Sequence, residues 1–368
     1  MCKDWTETTL GEIAEVNMGQ SPPGDTYNTE GIGLPFMQGS AEFGEHYPET
    51  VKFCSAPAKI AEIGDLLLSV RAPVGDSNFA NQRIAIGRGL ATVRARTGAD
   101  THFLRLVIQQ NTAGLLATSG TGMFSSITGK NLREFGVNLP PLVEQKRIVD
   151  MVSSVDAYID ALQQQVDSAR TARNAVLHEL LSAGGEDWTE TTLGDIAKWS
   201  SGKNLSSDKR HETGLIPILG ANGIIGRTNE VLLNEELVTV GRVGACGETH
   251  RSSGPVWISD NALIVIPTER VTIDLLFYVL STFNYQSIIS GTTQPLITQS
   301  NMKSQVVNLP PLAEQKRIVE IVSSMDDVIQ STEKAVVDAK SLRSGLLSDL
   351  LSGEHEIPTS YDSLLGAA

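Results

Sequence analysis

The segment Leu139-Pro140-Pro141-Leu142-Val143-Glu144-Gln145-Lys146-Arg147-Ile148-Val149 returns at Leu309–Val319 with one change, Ala313 in place of Val143. A second pair frames it: Asp4-Trp5-Thr6-Glu7-Thr8-Thr9-Leu10-Gly11 reappears unchanged at Asp187–Gly194. An internal repeat of this size sets the architecture before any motif is read. The first pair lies 170 residues apart and the second 183, so the stretch between the anchors is 13 residues longer in the first copy. Each copy is therefore a variable region, 1–141 or 183–311, followed by a faithful one, 142–182 or 312–352. Residues 353–368 form a tail.

The faithful regions read as long helices. Apolar residues step by four and three through Ile148, Val152, Val155, Ile159, Leu162, Val166 and Ala169, then Val176 and Leu180. The second copy keeps the register with Ile318, Val322, Met325, Ile329, Thr332, Val336, Ala339, Leu346 and Leu350. That is a heptad seam, broken at matching places by Arg173 and Arg343. Pro140-Pro141 and Pro310-Pro311 suit helix starts, where an N–H would be unpaired anyway. Gly184-Gly185 and Gly353 suit the ends. A helix over 142–182 makes a rod of about 60 Å whose single apolar stripe must be covered. The nearest cover is the matching helix of the same chain, running antiparallel; the alternative is the helix of a second chain.

The variable regions read as mixed α and β. Apolar runs at Gly64–Val70 and Glu236–Val240, bounded by Gly, Pro and Asn, predict strands. Helical patterns follow at Phe103–Gln110 and Ile273–Thr282. Both regions then carry a polar loop and a turn, Ser119–Gly122 before Ile127–Leu132 and Ser290–Thr293 before Ile297–Met302. With 368 residues, 40% hydrophobic content and no apolar run near 18, the chain is expected to be a cytoplasmic protein with two or three cores and no membrane span. Three scattered cysteines, Cys2, Cys54 and Cys246, imply neither a disulfide framework nor a zinc site, and Cys246 with His250 lacks a second ligand pair.

Two divergent regions, each opened by Trp-x-x-x-x-Leu-Gly-Glu/Asp-Ile (from Trp5 and Trp188) and closed by Leu-Pro-Pro-Leu-x-Glu-Gln-Lys-Arg-Ile-Val at the start of a long helix, resemble the DNA-specificity subunits of type I restriction-modification systems. The resemblance spans essentially the whole chain and rests on the order and duplication of several segments. It implies an α+β fold: two mixed α/β target-recognition domains separated by two long antiparallel helices forming a coiled coil, as a pseudo-two-fold internal repeat. Each domain would read one half of a split site on double-stranded DNA. The helices would dock two methyltransferase subunits, and Leu142, Gln145, Arg147, Leu312, Gln315 and Arg317 are the implied docking residues. Those partners would carry S-adenosylmethionine and methylate adenine N6, with or without a motor-nuclease subunit. No cofactor or metal is expected in this chain.

The residues themselves agree on the missing chemistry. Asn138-Leu139-Pro140-Pro141 has a leucine inserted and no following aromatic, so it is not the Asn/Asp-Pro-Pro-Tyr/Phe segment of an adenine methyltransferase. Gly129-Lys130 is followed by Asn131, and position 124 is Phe124, so a phosphate-cradling P-loop fails too. Six scattered histidines offer no triad. Catalysis is expected in another chain.

Charge argues the other way from DNA binding. The net charge is −14 and no segment is globally basic, whereas nucleic-acid-binding domains usually are. Locally, Arg71, Arg83, Arg88, Arg94 and Arg96 face the single acid Asp76. Arginines on Gly-rich loops can contact phosphate and pair two-pronged with guanine; equally, they can alternate along a strand in solvent-facing ion pairs. In the second region Gly241–Gly247 lines up roughly with Val70–Gly75, which sets Arg242 beside Arg71 by role. Arg251 is the further basic candidate there. Lys130-Asn131 and Ser300-Asn301 stand at matched positions and suit either DNA contact or helix capping, with capping favoured. Gln294 and Gln299 have the amide chemistry for adenine.

Two rival classes are weighed against the recognition reading. A nuclease or self-sufficient methyltransferase needs a carboxylate cluster or cofactor motif that is not seen. A coiled-coil scaffold shares the helices but has no need of divergent end domains. The duplication also predicts that Trp5–Ile13 lies beside the end of the second helix near Leu350, making the chain quasi-cyclic.

Overall fold

The computed structural model describes residues 4–45, 47–117, 126–289, 295–354 and 357–361. The chain divides into two compact units, Met1–Ala161 with Val336–Ala368 and Leu162–Ala335, so the division falls inside both long helices.

In the first unit an antiparallel sheet runs in the order Ala14–Met18, Leu90–Ala95, Leu66–Ser69, Ser77–Phe79. The apolar run Leu66-Leu67-Leu68 is wholly buried because both faces of this sheet are covered. Successive side chains alternate: Leu66 and Leu68 join Phe103 and Leu104 in one core, whereas Leu67 joins Met37, Ile84 and Ile86 in another. The second core lies against a five-stranded sheet, ordered Tyr27–Asn28, Lys52–Cys54, Leu34–Met37, Ile84–Ile86, Ile60–Ala61. Asp100 caps the helix Thr101–Gln110 by accepting from the Phe103 N–H at 3.0 Å.

The second unit repeats the plan. Its four-stranded sheet is Ala197–Ser201, Ala262–Pro267, Leu237–Gly241, Thr249–Ser252. Val238 and Val240 face the helical core, and Leu237 faces Leu219 and Ile258. Thr272 caps the helix Ile273–Ser281. Here the second sheet has only three strands, Gly223–Thr228, Ile216–Gly220 and Trp257–Ile258. The extra length of the first copy falls mainly between Gly19 and Leu66, where the two additional strands are housed.

In each unit a two-stranded clasp joins the duplicated motifs: Thr6–Thr9 pairs with Gly136–Leu139, and Thr189–Thr192 with Val306–Leu309, in the same register. The indole of Trp5 then donates to Glu144 at 3.1 Å and that of Trp188 to Glu314 at 2.9 Å.

The long helices run Leu142–Ser182 and Leu312–Ser352. Within the first unit Ile148 and Val152 share a core with Leu347 and Leu350, and Asp156 pairs with Arg343. Within the second, Leu177 shares a core with Ile318 and Val322, and Arg173 pairs with Asp326 at 2.9 Å. The pairing is antiparallel in both. Ile159, Val166, Ile329 and Val336 are buried, and Val155, Leu162 and Met325 are half-buried. Beyond the arginines the deepest positions are Leu177 and Leu347, a phase shift from the expected Val176 and Leu346, which are half-buried.

Arg173 and Arg343, which interrupt the apolar pattern, are thus equivalent residues meeting equivalent aspartates. Tyr278 adds a bond to Asp326 at 2.8 Å, and its phenol is pushed up by burial first and then by that carboxylate. In the first unit, Gly353 adopts a left-handed φ of +66° and brings the chain over the Trp5 ring, which lies 3.4 Å from where a Cβ would stand. Ile357 is buried in the same core as Leu350, with Trp5 packed on it.

Candidate nucleic-acid interface

One hydrogen-bonded frame, present in both units, positions the candidate residues. Gly19 N donates to Leu90 O as Gly202 N does to Ala262 O, at 2.8 and 3.0 Å. Val70 N donates to Gly89 O as Arg242 N does to Asn261 O, both at 2.9 Å. Ile127 N donates to Val70 O as Ile297 N does to Arg242 O, at 2.9 and 3.0 Å. Glycine is required at 19 and 202, since a Cβ would stand about 2 Å from the carbonyl oxygens of Gly87 (2.1 Å) and Ser259 (2.0 Å).

This frame corrects the expected equivalence of Arg71 and Arg242. Arg242 corresponds to Val70, and Arg71 corresponds to Val243, the two being bridged to Ser126 and Leu296 respectively. The residues share a loop but are one position out of step, and one position reverses the face of an extended chain. Arg71 is exposed, whereas Arg242 is half-buried, with one guanidinium N–H 3.4 Å from Ser201 Oγ. Its buried Nε has no partner among the described residues.

The arginine cluster of the first unit is partly consumed in the fold. Arg94 grips the buried carboxylate of Asp65 with two bonds of 2.5 and 2.9 Å, and that hydrogen bonding raises its pKa further. Arg83 pairs with Glu62 at 3.2 Å. Arg96 reaches the Glu12 carbonyl at 3.5 Å. Arg71 and Arg88 remain exposed with no side-chain partner among the described residues. In the second unit Arg251 is held by Glu236 at 3.1 Å and by Asp274. The solvent-facing ion-pair alternative thus accounts for Arg83, whereas Arg94 is paired with a buried acid; Arg251, outside that cluster, is ion-paired as well.

The matched polar turns are helix starts, but the capping side chains are the threonines two and three residues before the expected ones. Thr128 Oγ1 accepts from Asn131 N at 3.2 Å and Thr298 Oγ1 from Asn301 N at 3.1 Å. Asn301 also donates to Ile288 O at 3.3 Å, and Lys130 lies 3.7 Å from Glu134. Gln299 is not a free amide: it accepts from Ser201 N and Oγ at 3.0 and 2.9 Å and donates to Trp199 O at 3.2 Å. Gln294 lies outside the described residues.

Gln145 and Gln315, expected on the docking surface, are fully buried. Gln145 Oε1 accepts from Asp100 N at 2.8 Å, while Nε2 donates to Gly98 O and Pro140 O at 3.0 and 2.8 Å. Gln315 makes the same three bonds with Thr272 N, Arg270 O and Pro310 O at 2.9, 2.8 and 3.0 Å. Their task is internal: each ties the start of a long helix to the loop that opens the short one. Leu142, Leu312 and Arg317 are exposed at these helix starts, and Arg147 is half-buried and engaged.

Cys246 sits half-buried with Sγ 3.2 Å from the carbonyls of Arg242 and Pro295, and burial pushes its thiol up. Among the described residues, no group of three or more His, Cys, Asp and Glu is placed to hold a metal ion. No helix there is long and apolar enough to cross a membrane.

The model of the type I restriction modification DNA specificity domain matches the chain twice, over residues 2–168 and 185–338. The chain belongs to that family. It is 37% identical over 183 residues to the putative type I restriction enzyme MjaX specificity subunit of Methanocaldococcus jannaschii, covering 49% of this chain and 43% of that protein. It is 28% identical over 206 residues to the type I restriction enzyme EcoprrI specificity subunit of Escherichia coli, covering 54% and 51%. Both matches thus span about half of the relative's length. A match to the MjaIX specificity subunit of M. jannaschii is longer, at 23% identity over 96% of this chain and 94% of that one. The fold is similar to that of a type I restriction-modification S subunit from M. genitalium, with a TM-score of 0.57, 17% identity and coverage of 96% and 97%. A chain from a structure describing complex assembly and conformational transition of the type I R-M system gives a TM-score of 0.65 at 17% identity, with coverage of 95% and 98%.

Proposed function

We propose that this chain is the non-catalytic sequence-reading subunit of a type I restriction-modification complex. Each variable unit would read one half of a bipartite, asymmetric DNA site, and the long helices would dock two adenine-N6 methyltransferase subunits and set the gap between the halves. S-adenosylmethionine would reside in those partners, and a motor-nuclease subunit would join them where restriction occurs.

The carrying observation is one backbone frame built twice with unlike exposed side chains on its loops. A common scaffold with divergent tips is what two different half-sites demand, because phosphate contacts position a protein while base contacts specify the sequence. The net charge of −14 fits a subunit whose partners supply most of the phosphate affinity.

The test is to assemble the chain with its modification subunits and S-adenosylmethionine and to map methylated adenines, before and after residues 1–141 are exchanged for those of a homologue. One half-site changing and the other staying supports recognition. An unchanged motif supports the scaffold reading instead. Methyl transfer by the chain alone would place catalysis here and overturn the proposal.

A further inference from the structure

The frame has a second matched turn. Gly87 N donates to Met37 O, and Ser259 N to Leu219 O, both at 2.8 Å. Each turn then closes on itself, Leu90 N to Gly87 O and Ala262 N to Ser259 O, both at 3.1 Å. The first of the two central residues is Arg88 in the first unit and Asp260 in the second. Both are exposed, and neither has a side-chain hydrogen bond or ion pair among the described residues. Their charges are opposite.

The setting of these tips is fixed. The residue after each, Gly89 or Asn261, receives the N–H of Val70 or Arg242, so the turn is stapled to the loop that carries Arg71 or Val243. The close approach at Gly19 and Gly202 holds it from the other side. Other charged side chains of the two units are held by partners, as Arg94 is by Asp65 and Arg251 by Glu236. Arg88 and Asp260 are held by none, although the residues on either side of each are hydrogen-bonded through their backbone.

We infer that Arg88 and Asp260 occupy the same base-reading position, once in each unit, with Arg88 matched to guanine and Asp260 to cytosine. The inference rests on the DNA-reading role proposed above and deepens it by naming one residue per unit. The guanidinium fork presents two donors to guanine O6 and N7, whereas an ionised carboxylate only accepts, and cytosine N4 offers it an amine. An acid facing a polyanion is unfavourable unless a base donor meets it. Asp260 therefore suits direct reading and not phosphate contact, which is why a search for basic residues passes over it.

The test uses the assembled methyltransferase complex and maps the methylated motif for the unaltered chain and for Arg88→Ala, Asp260→Ala and Asp260→Asn. Each alanine variant should relax one position, a guanine in one half-site and a cytosine in the other, with discrimination there falling by about fivefold or more. Asp260→Asn should move the preference at its position from cytosine to adenine, because an amide pairs two-pronged with adenine. Unchanged thermal midpoints would show that all variants fold. An unchanged motif in both alanine variants, or a uniform loss of methylation at every sequence, overturns the inference while leaving the recognition reading standing. Sequence-independent methylation by the unaltered complex would instead sink the recognition reading itself.

Discussion

The indole N–H of Trp188 donates to the carboxylate of Glu314 at 2.9 Å, and Trp5 does the same to Glu144 at 3.1 Å. The two motifs repeated most faithfully are therefore halves of one joint, closed in each unit by a four-residue clasp. Trp188→Phe keeps an aromatic ring but removes the N–H together with the indole's five-membered ring, leaving a part-buried carboxylate short of one bond. It should cost about 1–2 kcal/mol of the second unit's stability, read as a shift in the urea midpoint.

Gln145→Ala and Gln315→Ala should each cost more, about 2–4 kcal/mol, because each strands one backbone N–H and two carbonyls that the folded protein buries. Chemical denaturation checks the magnitude. A variant that stayed fully stable but lost partner assembly would restore these residues to the docking surface.

The Arg173–Asp326 pair has side chains 13% and 40% exposed, so water screens the acid but little of the arginine. A double-mutant cycle with Arg173→Ala and Asp326→Ala should give a coupling of about 1–2 kcal/mol, above that of an exposed pair. Arg170–Glu333, at 57% and 41%, should give under about 0.5 kcal/mol.

Asp195 accepts from the Thr192 hydroxyl at 2.6 Å and from the Thr192 N–H at 3.3 Å, and these bonds lower its pKa. The folded chain thus prefers the ionised form, so its contribution is present above the ordinary aspartate value of about 3.9 and fades as pH falls through the depressed folded value. The difference in urea midpoint between the chain and Asp195→Asn should be largest near about pH 6 and narrow below about pH 4. The group is fully exposed, and the effect is accordingly small.

If the helices act as the ruler proposed above, removing one heptad from each should shorten the gap between half-sites. Seven residues at about 1.5 Å are about 10 Å, or about three base pairs. Methylation mapping reads this directly, and an unchanged gap would remove the ruler from the model.

Much of this was legible in the sequence because it repeats. The duplicated anchors and the seam from Ile148 to Val166 mark the units and the helices, since burial of one stripe leaves a period that survives divergence. Leu66-Leu67-Leu68 reads as a strand for the same reason, a run with both faces covered. The site was less legible. Arg94 and Arg71 look alike along the chain, and only the position of Asp65, 29 residues away from Arg94, separates a structural arginine from a free one. Gln145 was misplaced because a polar residue in a repeated surface-like motif gives no sign of the three backbone groups that enclose it. Arg242 fell one residue out of step because Gly-rich loops hold no period to fix their register.

Two of the interhelical pairs are crosswise: the first helix supplies Arg173 and Asp156, and the second supplies Asp326 and Arg343. A single copy of the repeat carries both members of the contact on one rod and cannot join them to each other. Only a second copy lying antiparallel completes both contacts, so one repeat taken alone would need a sister molecule to close its seam.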